Sequence, residues 1–96
     1  MTGYYRDTRA TLVDEDGWEV PVAVTCILNK SDVGLSSWRG WGWTSQRLSP
    51  GAYEIRDADG AGNVLVNNVR EQHRYDRTTI RVEFVGNGAI PEGWLS

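Results

Sequence analysis

Three tryptophans and one arginine lie between residues 37 and 44, and these side chains are the groups of this chain best suited to contact a partner. Three of the five tryptophans lie in this stretch. Alternate side chains of an extended strand point to opposite faces, so Arg39, Trp41 and Trp43 share one face and Trp38 lies on the other. Exposed tryptophan beside arginine is typical of interface hot spots, and aromatic rows also stack on sugars or bases. The stretch therefore predicts a binding surface.

The two faces of this stretch are expected to lie in different environments. Trp41 and Trp43 are interpreted as the large residues of a small core, with Arg39 at its rim, because a short chain needs bulky side chains to fill its interior. Trp38 cannot share their face in a regular strand, so we expect it to be partly exposed and to be the better contact residue. The two glycines beside it would let a flat partner approach closely.

A second candidate site is the basic segment that contains Arg70, His73, Arg74 and Arg77. One interpretation is a solvated arm, in which such side chains are common. The other is a patch for a carboxylate-bearing or phosphate-bearing partner, because arginine forms paired hydrogen bonds with both groups. Both interpretations stay open at this point, and Arg70, His73 and Arg74 are candidate binding residues.

Few groups in the chain have the spacing that catalysis requires. His73 is the one histidine, and it could act as a general base oriented by Glu71 or Asp76. A solvated hairpin tip explains the same residues. Cys26 is the one cysteine, and its alternation with valines indicates a buried, inert thiol rather than a nucleophile with a depressed pKa. We therefore predict a protein that is not an enzyme and needs no cofactor.

The acidic turns of the chain do not predict a metal site. A single cysteine excludes a zinc site built on cysteines. The segment 57–62 carries the aspartates and glycines of a calcium loop, but Ala61 and Asn68 stand where that loop needs an oxygen ligand and a bidentate glutamate. A hairpin turn explains this segment equally well, and residues 14–16 are interpreted as another solvated turn.

Alternation of apolar and polar residues predicts several short strands and no helix. The pair Asp16-Gly17 between two alternating runs is a strong hairpin signal. Pro21 lacks an N–H donor and is expected at an edge or a bulge. Residues 1–8 show no clear period and are interpreted as a leader. The predicted strands are 9–14, 18–28, 37–44, one around Tyr53 and Ile55, 64–66 and 79–85.

Three further segments are assigned from their composition. Asn67-Asn68 interrupts the fifth strand, which predicts a bulge or a break, and residues 69–75 are expected to continue it as an exposed, twisted arm. Val33 and Leu35 lie in a polar loop and are expected to cover the mouth of the barrel. The tail is too apolar to extend into solvent, and we expect it to cap an open end of the core through Ile90, Pro91, Trp94 and Leu95.

Length and charge restrict the class of protein. A chain of 96 residues suits one small domain, residues 1–96. We predict an all-β fold, a small antiparallel, partly open barrel or sandwich of five to seven strands. The net charge of −3 makes nucleic-acid binding unlikely. Neither a signal-peptide pattern nor a membrane-spanning apolar run is present, so we expect a soluble, cytoplasmic protein without membrane contact.

These observations favour a non-catalytic interaction module. We expect it to bind a protein partner, or to form a homo-oligomer, through an edge strand and the tryptophan-rich face. The alternative is a ligand-binding β-barrel that recognises a sugar-like or aromatic small molecule at the same face. A single-strand nucleic-acid binder is the less favoured third hypothesis, because the acidic balance of the chain opposes it.

Overall fold

The computed structural model describes residues 2–30 and 36–94, and this part of the chain forms six antiparallel strands without a helix. No helix there is long and apolar enough to cross a membrane. The strands are β1 (Thr2–Val13), β2 (Glu19–Lys30), β3 (Ser36–Thr44), β4 (Gly51–Arg56), β5 (Ala61–Arg74) and β6 (Arg77–Gly86).

The strands pair into one ring-like sheet in the order β1-β2-β3-β6-β5-β4. Two three-stranded meanders, β1–β3 and β4–β6, are joined by residues 45–50, and β6 returns to pair with β3. The ring closes where β4 meets β1 over three residue pairs, from Thr11 with Arg56 to Val13 with Glu54. The predicted all-β class is confirmed, with the ring uneven because this last joint is short.

The first hairpin forms as the Asp-Gly signal predicts. Gly17 has a positive φ of 85°, and Asp14 Oδ1 accepts hydrogen bonds from the backbone N–H groups of Asp16 and Trp18. Pro21 pairs with β1 on one side, whereas the β3 ladder begins at Ala23. Pro21 therefore lies at an edge position, where its missing N–H donor costs no ladder bond.

The fifth strand contains the predicted bulge and arm. Its register against β6 shifts between Val66 and Asn68. Pairing of β4 with β5 ends at Val66, while β5 and β6 continue as a hairpin that closes at Tyr75, a residue with a positive φ of 56°. The hairpin therefore extends beyond the end of β4.

The interpretation of residues 1–8 as a leader is wrong for the described residues from Thr2 onward. They belong to β1, which pairs with β2 along its whole length. The alternation is hidden because the inward positions near this end of the barrel carry polar side chains. Arg6 and Thr8 both point to the buried carboxylate of Asp57, so the strand continues although its inward residues are not apolar.

The barrel interior is filled by side chains of all six strands, and the tail covers one end. Pro91 and Trp94 are buried and Ile90 packs against the core, as predicted. Leu95, Val33 and Leu35 lie outside the described residues. Burial of each large aliphatic side chain contributes about 1.5–3 kcal/mol. The most buried of these side chains are Leu12, Val20, Leu28, Ile55, Val64, Ile80 and Val82.

Candidate interaction surface

The two faces of β3 are the reverse of those expected. Trp38 is 4% exposed and belongs to the core, so its expected role as the exposed contact residue is wrong. Its ring packs edge to face against Phe84 and Trp94, with centroid separations of 6.4 and 5.7 Å. Its Nε1 donates a hydrogen bond of 3.1 Å to the carbonyl oxygen of Gly88. Trp43, expected in the core, is 39% exposed.

Glycine on the inner face of β3 explains this reversal. A Cβ on Gly40 would lie 2.6 Å from the Phe84 ring, and one on Gly42 would lie 2.3 Å from the carbonyl oxygen of Ala23. The interior of this narrow barrel is therefore occupied at these positions by the neighbouring strands. The glycines make room inside the protein for Trp38 and Phe84, rather than outside it for a partner.

Trp43 lies at the centre of a row of outward side chains that crosses five strands. The ladder pairs Arg9 with Ala23, Ala23 with Trp43, Trp43 with Arg81, and Arg81 with Arg70. Arg81 Cζ stands 5.4 Å from the centroid of the Trp43 ring, a cation–π contact. Two candidates that are distant in sequence, Trp43 and Arg70, thus lie on one surface.

Trp41 lies in the next row along the strands. Its neighbours in that row are Thr25 and Asp7 on one side and Glu83 and Asn68 on the other. Asp7 Oδ1 accepts a hydrogen bond of 2.5 Å from the Thr25 hydroxyl. Trp41 is half-buried between these side chains and points outward, not into the core as expected.

A third row contains Arg39 among apolar neighbours. It runs from Tyr5 through Ile27, Arg39 and Val85 to Leu65. Tyr5, Leu65 and Val85 are 76, 41 and 38% exposed. We call the three rows together the outer wall. It combines exposed aromatic, aliphatic and arginine side chains on the outer surface of five adjoining strands of the ring.

Arginines of the outer wall have few acidic neighbours. Arg81 Nε approaches Glu83 Oε1 at 3.4 Å. The guanidinium groups of Arg9, Arg39 and Arg70 form no ion pair with any residue in the described part of the chain. A shallow groove of about 430 Å³ lies beside Trp43, with Asp7 and Arg9 among its lining residues.

The basic segment 70–77 is divided between two faces of the hairpin arm. Arg70 belongs to the outer wall, whereas His73 lies on the same face of β5 as Glu71. His73 Nε2 is 3.9 Å from Glu71 Oε2, and its Nδ1 is 3.0 Å from the Thr78 hydroxyl. The pair is exposed on the arm and away from Trp41. The backbone of Arg74 pairs with β6, but its side chain lies outside the described structure.

Cys26 has the environment predicted for it. It is fully buried on the inner face of β2. Burial raises the pKa of its thiol to about 12. A thiol in such surroundings is protonated at neutral pH and out of reach of a substrate.

Asp57 is a buried carboxylate for which the sequence predicted nothing more than a place in a hairpin turn. Its side chain is 2% exposed. One oxygen accepts hydrogen bonds from Arg6 Nη2 and the Thr8 hydroxyl, both at 2.9 Å. The other accepts from Trp94 Nε1 at 3.0 Å and from the backbone N–H of Asp59 at 2.8 Å. The Asp-x-Asp-Gly turn was visible in the sequence, but its partners 51 and 37 residues away were not.

Hydrogen bonding determines the ionisation of this carboxylate. Burial by itself would raise the pKa of Asp57, but the hydrogen bonds from Arg6, Trp94, the Asp59 backbone and Thr8 outweigh it and hold the pKa well below its usual range. Arg6 also lies 5.1 Å from the centroid of the Trp94 ring. Through Asp57, Trp94 of the tail is therefore linked to Arg6 of β1, which holds the tail against the barrel. Within residues 2–30 and 36–94, no cluster of histidine, cysteine or acidic side chains has a metal-holding arrangement.

Comparison with known proteins adds no relative, because no protein-family model, curated protein or solved structure matches this chain.

Proposed function

We propose that this protein is a non-catalytic interaction module that binds a protein partner through the outer wall. The observation that carries the proposal is the outward direction of Trp41 and Trp43 on a face that also presents Arg39, Arg70 and Arg81. Tryptophan, tyrosine and arginine dominate the binding energy of protein interfaces.

The apolar side chains on this face support the same proposal. Tyr5, Leu65 and Val85 are exposed in a row beside the two tryptophans. Isolated apolar side chains on a surface are ordinary, but several exposed apolar side chains grouped around an arginine, as these are around Arg39, are more typical of interaction sites. Covering these side chains with a partner would remove their apolar surface from water, which favours association.

The free edge of β5 extends this surface. From Asn67 onward, the side of β5 that faces away from β6 has no neighbouring strand in the described structure. An unpaired edge can add a strand from another chain. A partner seated on the outer wall could therefore also pair with β5, and a second copy of this chain is one such partner.

Affinity capture with matched tryptophan variants tests the proposal. Wild type, Trp43→Ser and Trp18→Ser are immobilised in parallel, and the captured proteins are quantified by mass spectrometry. Trp18 is 65% exposed in the first turn, outside the outer wall, so it is the control. We expect partners that wild type and Trp18→Ser retain and Trp43→Ser loses. Light scattering at two concentrations detects self-association. Identical capture by all three proteins, with a monomer throughout, would contradict the proposal.

A small-molecule binder is the second candidate, favoured by the groove beside Trp43. The groove is open to solvent, and its lining joins the Trp43 ring to Ala23 and to the polar side chains of Asp7 and Arg9. A sugar-like or aromatic ligand could stack on the free face of the indole, while Asp7 and Arg9 supply polar contacts. Equilibrium dialysis against a panel of sugars and aromatic compounds tests this alternative; binding by Trp18→Ser but not by Trp43→Ser would support it.

A further inference from the structure

The outer wall carries more basic than acidic side chains, although the whole chain is acidic. Its three rows contain four arginines, at positions 9, 39, 70 and 81, and two acids, Asp7 and Glu83. The net charge of the chain is −3. Positive charge is thus concentrated on the same face as the outward tryptophans, which makes this face electrostatically complementary to an acidic partner.

Unpaired arginines restrict what can cover this face. Arg9, Arg39 and Arg70 have no ion pair with described residues. A purely apolar partner would remove these charges from water without compensating them, and uncompensated burial of a charge is strongly unfavourable. A partner that supplies a carboxylate to each arginine avoids this penalty through charge-assisted, paired hydrogen bonds.

Positions of the charges specify the arrangement of the partner. Arg9 and Arg70 stand at opposite ends of one row, four strand spacings apart, and Trp43 lies midway between them. Neighbouring strands are about 4.8 Å apart, so the backbones of the two arginines are roughly 19 Å apart along the sheet, and their outward side chains diverge because the sheet is curved. Resting on the proposed function, we infer that the partner is an acidic protein segment whose carboxylates flank an apolar or aromatic contact centred on Trp43.

A nucleic acid would also bring negative charge and stacking groups, but the molecule favours the peptide. A long polyanion extends past the outer wall and meets the acidic remainder of the surface, which includes Asp14, Glu15 and Glu19. A short acidic segment can confine its charges to the arginines. The test therefore includes both kinds of polymer.

Fluorescence anisotropy with labelled polymers measures the preference directly. The probe is a random copolymer of glutamate and tyrosine, compared with a lysine–tyrosine copolymer and with oligothymidylate. We expect the glutamate copolymer to bind most tightly, with an affinity that falls as salt is added. Arg9→Gln and Arg70→Gln should each weaken this binding about tenfold. Arg47→Gln, at an exposed arginine outside the three rows that pairs with Glu71, is the matched control and should leave it unchanged.

Three outcomes would overturn the inference. The first is binding of the glutamate copolymer that is insensitive to Arg9→Gln and Arg70→Gln, or no binding at all. The second is tighter binding of oligothymidylate or of the lysine copolymer. The third is a homo-oligomer that the same two variants dissociate, which would identify a second copy as the occupant. If one of these outcomes occurs while Trp43→Ser still loses partners in the affinity capture, the proposed interaction function stands and the inference of an acidic partner is wrong.

Discussion

Trp38 and Trp43 lie five residues apart on β3 and have opposite structural roles. Trp38 is enclosed by Phe84, Trp94 and the backbone of Gly86, where an added Cβ would come within 2.1 Å of the indole nitrogen. We expect Trp38→Ala to lower the free energy of unfolding by about 3–5 kcal/mol, since it empties a packed interior. Trp43→Ala should change it by less than about 1 kcal/mol. Urea denaturation followed by circular dichroism compares the two variants, and equal losses would refute the assignment of faces.

Asp57 is a buried acceptor for side chains from both ends of the chain. Asp57→Asn keeps its shape but removes the charge that Arg6 faces, so we expect a loss of about 2–4 kcal/mol in the free energy of unfolding. Asp59 also pairs with Arg6, but its side chain is 60% exposed. Asp59→Asn should therefore cost less than about 1 kcal/mol. The two variants are compared by urea denaturation at neutral pH, and a larger loss from Asp59→Asn would contradict this role.

The same carboxylate predicts an acid-sensitive stability. Its pKa is lower in the folded protein than in the unfolded chain, so the unfolded chain binds the proton more tightly. The stabilisation is complete above the unfolded pKa of about 4 and is lost as the pH falls below it towards the folded value. Urea denaturation between neutral and strongly acidic pH should show wild type losing its advantage over Asp57→Asn. A difference between the two proteins that is constant with pH would disprove the assignment.

The turn at the end of the β5–β6 arm is strained by its first residue. Tyr75 has a φ of 56° and is fully exposed, so its side chain gains no packing in return for the left-handed conformation. Asn tolerates this conformation better, and Tyr75→Asn should stabilise the arm by about 0.5–1 kcal/mol. Asp76→Asn, at a neighbouring position without positive φ, is the control. Native-state hydrogen exchange of the arm amides measures the effect; unchanged protection in Tyr75→Asn would argue against strain at this turn.

Strand alternation predicted the elements better than it predicted their faces. The hairpin at Asp16-Gly17, the bulge at Asn67 and the final strand were visible because turn residues and alternation are local signals. Alternation separates Trp38 from Trp41 but does not say which side is inward. Side-chain size favoured the face with Trp41 and Trp43 as the inner one. The interior of the barrel is narrow, however, and the face that fits into it carries one indole and two glycines.

Long-range partners were the part of the candidate site that the sequence could not predict. Arg70 and Trp43 share a row only because β6 lies between β3 and β5, an order that follows from the whole ring. Local pattern assigns Arg6 to a leader, because its buried partner, Asp57, is 51 residues away. Local pattern therefore yielded candidate residues, and strand order decided which of them meet.

At the scale of the whole molecule, the joint between β1 and β4 is the short link in the ring. Thr11 and Arg56 are direct partners there, and such antiparallel partners have Cα atoms about 4.5–5.5 Å apart, within the range of a disulfide. We expect the oxidised Thr11→Cys/Arg56→Cys double variant to unfold at higher urea, with a gain of about 2–4 kcal/mol over its reduced form.

The reduced double variant serves as the matched control, and the buried Cys26 should not compete for pairing. Oxidised and reduced forms of equal stability would show that this joint does not limit the stability of the ring.

The different surroundings of the indole rings have a practical consequence for spectroscopy. Trp38 and Trp94 form an edge-to-face pair inside the protein, whereas Trp18 and Trp43 face solvent. Acrylamide should quench the fluorescence of the two exposed rings first. The Trp38–Trp94 pair should give a near-ultraviolet circular dichroism band that is lost when the tail leaves the barrel. The chain thus carries intrinsic fluorescent and dichroic reporters for its core, its tail and the outer wall.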